Sequence, residues 1–162
     1  MPKEYALVKK WLASPEKMDE RINRLKTATE CDIFEKNVRE RGFPELAARA
    51  RRRAVEFRVA THEVQSDVER DALAALYAYE QILNSVRARK SGASSPWRLV
   101  KQRGIIKAVK ALLERDADET HYKSLEETGM QDLAFEAIVV KHAEAFEPVT
   151  VKLCADRLAE WS

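Results

Sequence analysis

Ser66-Asp67-Val68-Glu69-Arg70-Asp71-Ala72-Leu73-Ala74-Ala75-Leu76-Tyr77-Ala78-Tyr79-Glu80-Gln81-Ile82-Leu83-Asn84-Ser85-Val86 reads as one long amphipathic helix. Ser66 and Glu69 stand three apart, the spacing at which a serine hydroxyl and a glutamate carboxylate satisfy orphan N–H groups at a helix start. Val68, Ala72, Leu76, Tyr79, Leu83 and Val86 then recur at helical spacing and keep one apolar face to about Lys90. A helix of this length is expected at the centre of the fold.

Toward the N-terminus the same grammar repeats. From Pro44 to about Ala60, the residues Leu46, Ala47, Ala50, Ala54 and Phe57 fall on one side of a helical wheel. Before it, Thr29 with Asp32 resembles an acidic capping box, opening a helix that turns Cys31, Phe34 and Val38 inward and stops at Gly42. Ser14-Pro15 reads as an N-cap and first helical residue for a helix with Met18, Ile22 and Leu25 on one face. Tyr5, Val8, Trp11 and Leu12 suggest a first helix before it.

Toward the C-terminus, Ser91 to Ser95 is the one small-residue linker, and Ser95-Pro96 again signals a helix start. A short helix from Pro96 to Arg103 meets Gly104, and a second runs from Ile105 to about Asp116 with Ile105, Val109, Leu112 and Leu113 inward. Asp118 or Thr120 caps a helix ending at Thr128-Gly129. The helix after it is apolar nearly all round through Leu133, Phe135, Ile138, Val139 and Val140, and is expected to be the most buried element. Asp132, Glu136 and Ala143 read as its narrow polar edge, which places Glu136 at the surface rather than in a pKa-shifted interior site. Pro148 starts a last amphipathic helix through Val151, Cys154 and Leu158 to Trp161. Only four glycines and five prolines punctuate the chain, which favours helices throughout. The expectation is an all-α fold: a compact single-domain bundle of about eight to nine helices over residues 1–162, with helical-hairpin (αα) units.

One internal echo occurs. Gly42-Phe43-Pro44-Glu45-Leu46-Ala47-Ala48-Arg49-Ala50 aligns with Gly129-Met130-Gln131-Asp132-Leu133-Ala134-Phe135-Glu136-Ala137 as glycine, apolar, any, acid, Leu, Ala, any, any, Ala. Two copies do not make a solenoid. Shared helix-turn-helix chemistry, a helix ending at glycine and the next beginning at once, explains them more economically than a duplicated hairpin.

Composition narrows the function classes. Apolar residues at 45% and charged residues at 35% exclude a disordered chain. No apolar run, Ala137 to Val140 included, is long enough to span a bilayer, and no charged-then-apolar signal segment follows Met1, so a cytoplasmic protein with no membrane partner is expected. Cys31 and Cys154 lie among apolar helix positions with no CxxC pairing, which suits buried thiols in a reducing compartment. His62, His121 and His142 are scattered and none stands at the spacing of a helical metal pair, so neither a metal nor another cofactor is expected. Four glycines leave little material for a phosphate loop or nucleophile elbow, and enzymatic activity is not expected.

The formal net charge of +2 conceals a strong alternation of sign. Residues 87–115 hold nine lysines and arginines against one acid, Glu114, whereas residues 116–147 hold two against nine. Arg87, Arg89, Lys90, Arg98, Lys101, Arg103, Lys107 and Lys110 are the candidate nucleic-acid-binding residues, and Arg115 closes the stretch. A Ser/Gly loop, a short helix, a glycine turn and a second basic helix resemble a generic helix-turn-helix unit, with one departure: Lys110 falls where that motif takes an apolar residue. Such parts suit contact with DNA or RNA phosphates, whose condensed counterions lysine and arginine displace. Three alternatives stand beside this one: a solvated basic face answered by the acidic segment within the chain, an acidic protein partner, and self-association by pairing of the two segments between copies. Arg49, Arg51, Arg52 and Arg53 form a second basic cluster, in which Glu45 with Arg49 and Arg52 with Glu56 stand four apart and are expected to pair along the helix as a solvated face. Trp97, Tyr77 and Tyr79 flank the basic region and either stack on bases or belong to the core; Trp97, beside Arg98, is the candidate for partial exposure.

Overall fold

The computed structural model describes residues 15–87, 96–115 and 117–162. The described residues are all-α, with nine α-helices, two short 3-10 turns and no strand. The segments around Tyr5–Leu12, Ser14 and Ser91–Ser95 lie outside them. The chain divides into two compact units, Met1–Thr61 and His62–Ser162.

In the first unit, α1 spans Pro15–Arg24, α2 Ala28–Glu40 and α3 Pro44–Ala60. The cap of α2 sits one residue pair earlier than the sequence reading placed it. Thr27 Oγ1 accepts from Glu30 N–H at 3.1 Å, and the Glu30 carboxylate accepts from Lys26 N–H at 2.7 Å. Glutamate carries one methylene more than aspartate and reaches back across the turn, so Thr27 and Glu30 win over Thr29 and Asp32. The helix stops at Gly42, where Gly42 N–H bonds the Arg39 carbonyl at 3.1 Å and Phe43 N–H bonds the Val38 carbonyl at 2.9 Å, a Schellman cap. Pro44 then opens α3 at once, and α2 and α3 pack along one another around Phe34, Val38, Leu46, Ala47 and Ala50, with Ile22 from α1. The buried stripe of α3 continues through Ala54, Val55 and Val59, and Phe57 is only half-buried. The Arg53 guanidinium lies over the Phe57 ring at 4.8 Å, because it is fixed there by hydrogen bonds to the Leu25 carbonyl at 3.1 Å that close the end of α1.

In the second unit, α4 spans Asp67–Arg87, α5 Pro96–Arg103, α6 Ile105–Arg115, α7 Glu119–Glu127, α8 Phe135–Lys141 and α9 Pro148–Trp161. The start of α4 follows the expected pattern: Ser66 Oγ accepts from Glu69 N–H at 3.3 Å, and the Glu69 carboxylate takes Gln65 N–H at 2.9 Å. Helices α6, α7 and α8 all pack on α4, so its buried face widens to Ala72, Leu73, Ala75, Leu76, Ala78 and Tyr79. That breadth makes it the central helix of this unit. Asp118, not Thr120, caps α7, accepting from His121 N–H at 2.9 Å.

The end of α7 reproduces the end of α2. Gly129 N–H bonds the Glu126 carbonyl at 3.1 Å and Met130 N–H bonds the Leu125 carbonyl at 2.9 Å. Met130 and Leu125 share a core cluster, as the hydrophobic contact of a Schellman cap requires. Beyond the glycine the two copies diverge: a 3-10 turn over Gln131–Leu133 ends at Ala134, whose extended backbone precedes α8. This break corrects the sequence reading of one helix apolar all round. With the axis redirected at Ala134, Asp132 and Ala143 no longer share a face with Glu136. Those two are exposed, whereas Glu136 is wholly buried and Val140 is 39% exposed.

Candidate nucleic-acid interface

The basic pair of helices is positioned by an aromatic anchor. Trp97, in the first turn of α5, donates its indole N–H to the Glu80 carboxylate of α4 at 2.6 Å. Its ring lies 4.5 Å from that of Tyr77 and is stacked at 6.0 Å, tilted by only 13°, on His62. His62 Nε2 in turn meets the Tyr77 hydroxyl at 2.6 Å. All three rings are half-buried, whereas Tyr79 belongs to the core beside Phe135. Helix α5 ends at Gly104, whose φ of +86° is a left-handed conformation that glycine adopts without a steric penalty. There the chain redirects in a single residue, and α5 and α6 pack on one another.

Helix α6 buries Ala108, Val109, Ala111, Leu112 and Leu113, with Ile105 only half-buried. Its opposite side is therefore available to polar residues. Arg98, Lys101, Arg103 and Lys107 are all exposed, and among the described residues none of them has an ion-pair partner. Lys110 differs: its ammonium stands 3.3 Å from the Glu147 carboxylate, so one cation of the basic stretch is answered by the acidic segment of the same chain. Arg87 closes α4, but its side chain, together with Arg89 and Lys90, lies outside the described residues. Of the eight candidates, the fold thus brings four exposed cations onto two successive helices around one glycine.

Two arginines of the second basic cluster are committed inside their own unit. Arg51 pairs with Glu35 of α2 at 2.9 Å, and Arg53 is spent on the carbonyls that end α1. Neither belongs to the Glu45–Arg49 and Arg52–Glu56 spacings that suggest pairing along the helix; α2 and the end of α1 come within their reach instead.

Several polar residues acquire roles that the sequence did not mark. Glu136 is buried with its Oε2 on Arg157 Nη1 at 3.2 Å while its Oε1 has no partner, and burial pushes its carboxyl above the ordinary range despite the guanidinium. Cys154 faces the same surroundings, and burial first, then the Glu136 charge, pushes its thiol up to about 11, as expected of a non-reactive structural cysteine. His121 is buried between Tyr79 and Phe135, at 4.7 and 5.8 Å between ring centres, with neither ring nitrogen hydrogen-bonded, and burial lowers its pKa to about 4. Asp71 takes hydrogen bonds from His142 at 2.7 Å and Lys141 at 2.8 Å; burial alone would raise its carboxyl, yet those two partners hold it below the ordinary value. No sequence spacing links Asp71 to residues seventy positions away. Among the described residues, no group of three or more histidine, cysteine or acidic side chains is placed to hold a metal ion, and no helix is long and apolar enough to cross a membrane.

Fold and surface together define an all-helical protein with a basic helix pair set on an aromatic anchor. No protein-family model, curated protein or solved structure matches the chain.

Proposed function

We propose that this is a non-enzymatic binding or accessory module that contacts nucleic-acid phosphates through α5 and α6, without strong sequence specificity. One observation carries the reading: Arg98, Lys101, Arg103 and Lys107 are exposed cations without ion-pair partners among the described residues, arranged on two helices whose mutual position is fixed at Gly104. Cations left unpaired on a rigid surface release condensed counterions when they meet a phosphate backbone, and the released ions supply the affinity. Exposed lysines and arginines on helix surfaces position a duplex or strand; no base-reading side chain is assigned. Arg87, Arg89 and Lys90 continue the same run in sequence and remain candidate contacts of the proposal. The test is retention of labelled DNA and RNA at low salt by the intact chain, against a variant with Arg98, Lys101, Arg103 and Lys107 all changed to glutamine. Retention by the parent and its loss in the variant support the reading; no retention of either nucleic acid by the parent overturns it.

A second reading draws on Lys110 and Glu147, where basic and acidic segments already meet within one chain. The same attraction between copies would make a scaffold or self-associating protein, and an acidic protein surface is the third occupant of that face. Light scattering at low and high salt separates them: a salt-sensitive dimer with no affinity for nucleic acid favours this second reading.

A further inference from the structure

We infer that the outer face of α9 is a self-association surface, on which the same helix of a second copy packs antiparallel across a twofold axis directly behind Cys154. This face is separate from the basic and acidic segments, and its use requires no nucleic acid. Cys154 is wholly buried and so fixes which side of α9 meets the core. At about 100° per residue, positions equidistant from residue 154 along the chain lie at equal angles on either side of the outward direction. Residues two, five and six positions away therefore line the outer face, residues one position away flank it, and all of them are exposed. Two are large and apolar: Val149 is 70% exposed and Leu153 40%. They stand four apart, on neighbouring turns of one side of the helix.

A singly exposed apolar side chain is ordinary on a protein surface. What distinguishes these two is what the twofold sets opposite them. Val149 meets Ala159 of the second copy, and Leu153 meets Ala155 of the second copy; both alanines are exposed. A small residue opposite a large one lets two helices approach to about 8 Å and interdigitate. The charges match in the same register. Lys152 and Asp156 form an ion pair at 3.0 Å within one helix, and the twofold places Lys152 opposite Asp156 of the second copy twice over. Four charges then alternate in sign across the axis, as a self-complementary isologous contact requires. Glu160 falls opposite Pro148 of the second copy, the first residue of α9, where the helix dipole favours a carboxylate. A parallel pair would instead set Lys152 against Lys152 and Asp156 against Asp156. Because α9 has 14 residues, the seam is about 21 Å long, and a weak, concentration-dependent dimer is expected.

The experiment is sedimentation equilibrium of the intact chain, without nucleic acid, from low-micromolar to near-millimolar concentration. Circular dichroism confirms that each variant retains its helices. The parent's mass is expected to rise from monomer to dimer, and Val149→Glu, which places an acid in the seam, should remain monomeric throughout. Lys152→Glu sets acid against acid across the axis and should raise the dissociation constant about tenfold. Adding Asp156→Lys to it restores the alternation of sign and should recover the parent's dissociation constant. A parent that stays monomeric, a dimer that survives Val149→Glu, or a double variant no tighter than Lys152→Glu overturns the inference. A dimer lost when Arg98, Lys101, Arg103 and Lys107 are changed to glutamine comes from the basic and acidic segments, and overturns it as well. None of these outcomes bears on the contact with phosphates, which the retention assay tests separately.

Discussion

Arg157 reaches from α9 with one nitrogen, Nη1, to two buried acceptors at once: Glu136 Oε2 at 3.2 Å and the Leu113 carbonyl at 3.0 Å. One guanidinium thus ties α9 to α8 and to α6, the helix that carries Lys107 and Lys110. The pair is asymmetric, since Glu136 is wholly buried and the Arg157 side chain is 22% exposed. Removing the arginine therefore leaves the costlier partner behind.

Arg157→Leu is expected to destabilise the protein by about 3 kcal/mol at pH 7, the usual consequence of stranding a buried charge. Because the carboxyl is already raised, folded Glu136 binds its proton more tightly than the unfolded chain does. Its ionisation therefore costs stability as pH rises above the ordinary carboxylate value, and the penalty of Arg157→Leu should shrink as pH falls. Urea denaturation at several pH values measures this. The double variant Glu136→Leu with Arg157→Leu should recover most of the loss. A single variant as stable as the parent would show that Glu136 does not need its partner.

His121 works with the opposite sign. Its pKa falls to about 4 in the folded protein against 6.5 unperturbed, so the unfolded state binds the extra proton between those values. Stability is then expected to decline as pH drops from about 6.5 to 4, by up to about 3 kcal/mol from this group alone. His121→Phe, which keeps a ring between Tyr79 and Phe135, should flatten that decline with little change at pH 7. An unchanged pH profile in this variant would mean that the imidazole finds a partner when protonated. Asp71 adds to the acid loss: its lowered carboxyl stabilises the fold while ionised, and that contribution disappears as pH falls through its folded pKa.

Gly104→Ala places a side chain at φ +86° with no atom near enough to clash. The expected cost is therefore backbone strain alone, about 1–2 kcal/mol, read as a lower thermal midpoint. A loss well beyond that would point to a rearranged α5–α6 junction.

The cations of the basic face should differ in a salt titration of DNA binding. Lys107→Gln is expected to reduce the slope of log affinity against log salt by close to one unit, the share of one phosphate contact. Lys110→Gln should reduce it by less, because Glu147 already neutralises that ammonium. Equal slopes for both variants would remove the distinction between paired and unpaired cations.

Helix identity and most helix ends were legible in the sequence because they are local matters. Ser66 with Glu69, Pro44, Pro96 and Pro148, and the glycines at 42, 104 and 129 act within one turn of chain, and the structure places helix ends at each of them. The repeated glycine motif is likewise a local fact: both copies make the same cap and then part company at Ala134. Where two local signals competed, as at Thr27 and Thr29, the reach of a glutamate decided. The exposed side of Lys107 on α6 was also readable, since it is set by the period of Val109, Leu112 and Leu113 opposite, whereas Lys110 on that side is half-buried beside Glu147.

Long-range partners were not legible. Whether Glu136 faces water depends on where Arg157 and Leu113 arrive, and no periodicity within residues 130–145 contains that information. The same holds for Lys110 on Glu147, Asp71 on His142, and Trp97 on Glu80 and His62. By itself the sequence determined an all-helical chain with a basic stretch of known position, because helix formation and side-chain periodicity depend on neighbours within four residues. Tertiary structure alone decided which charges are spent inside the protein and which remain free at its surface, because burial and ion pairing depend on groups that only folding brings together.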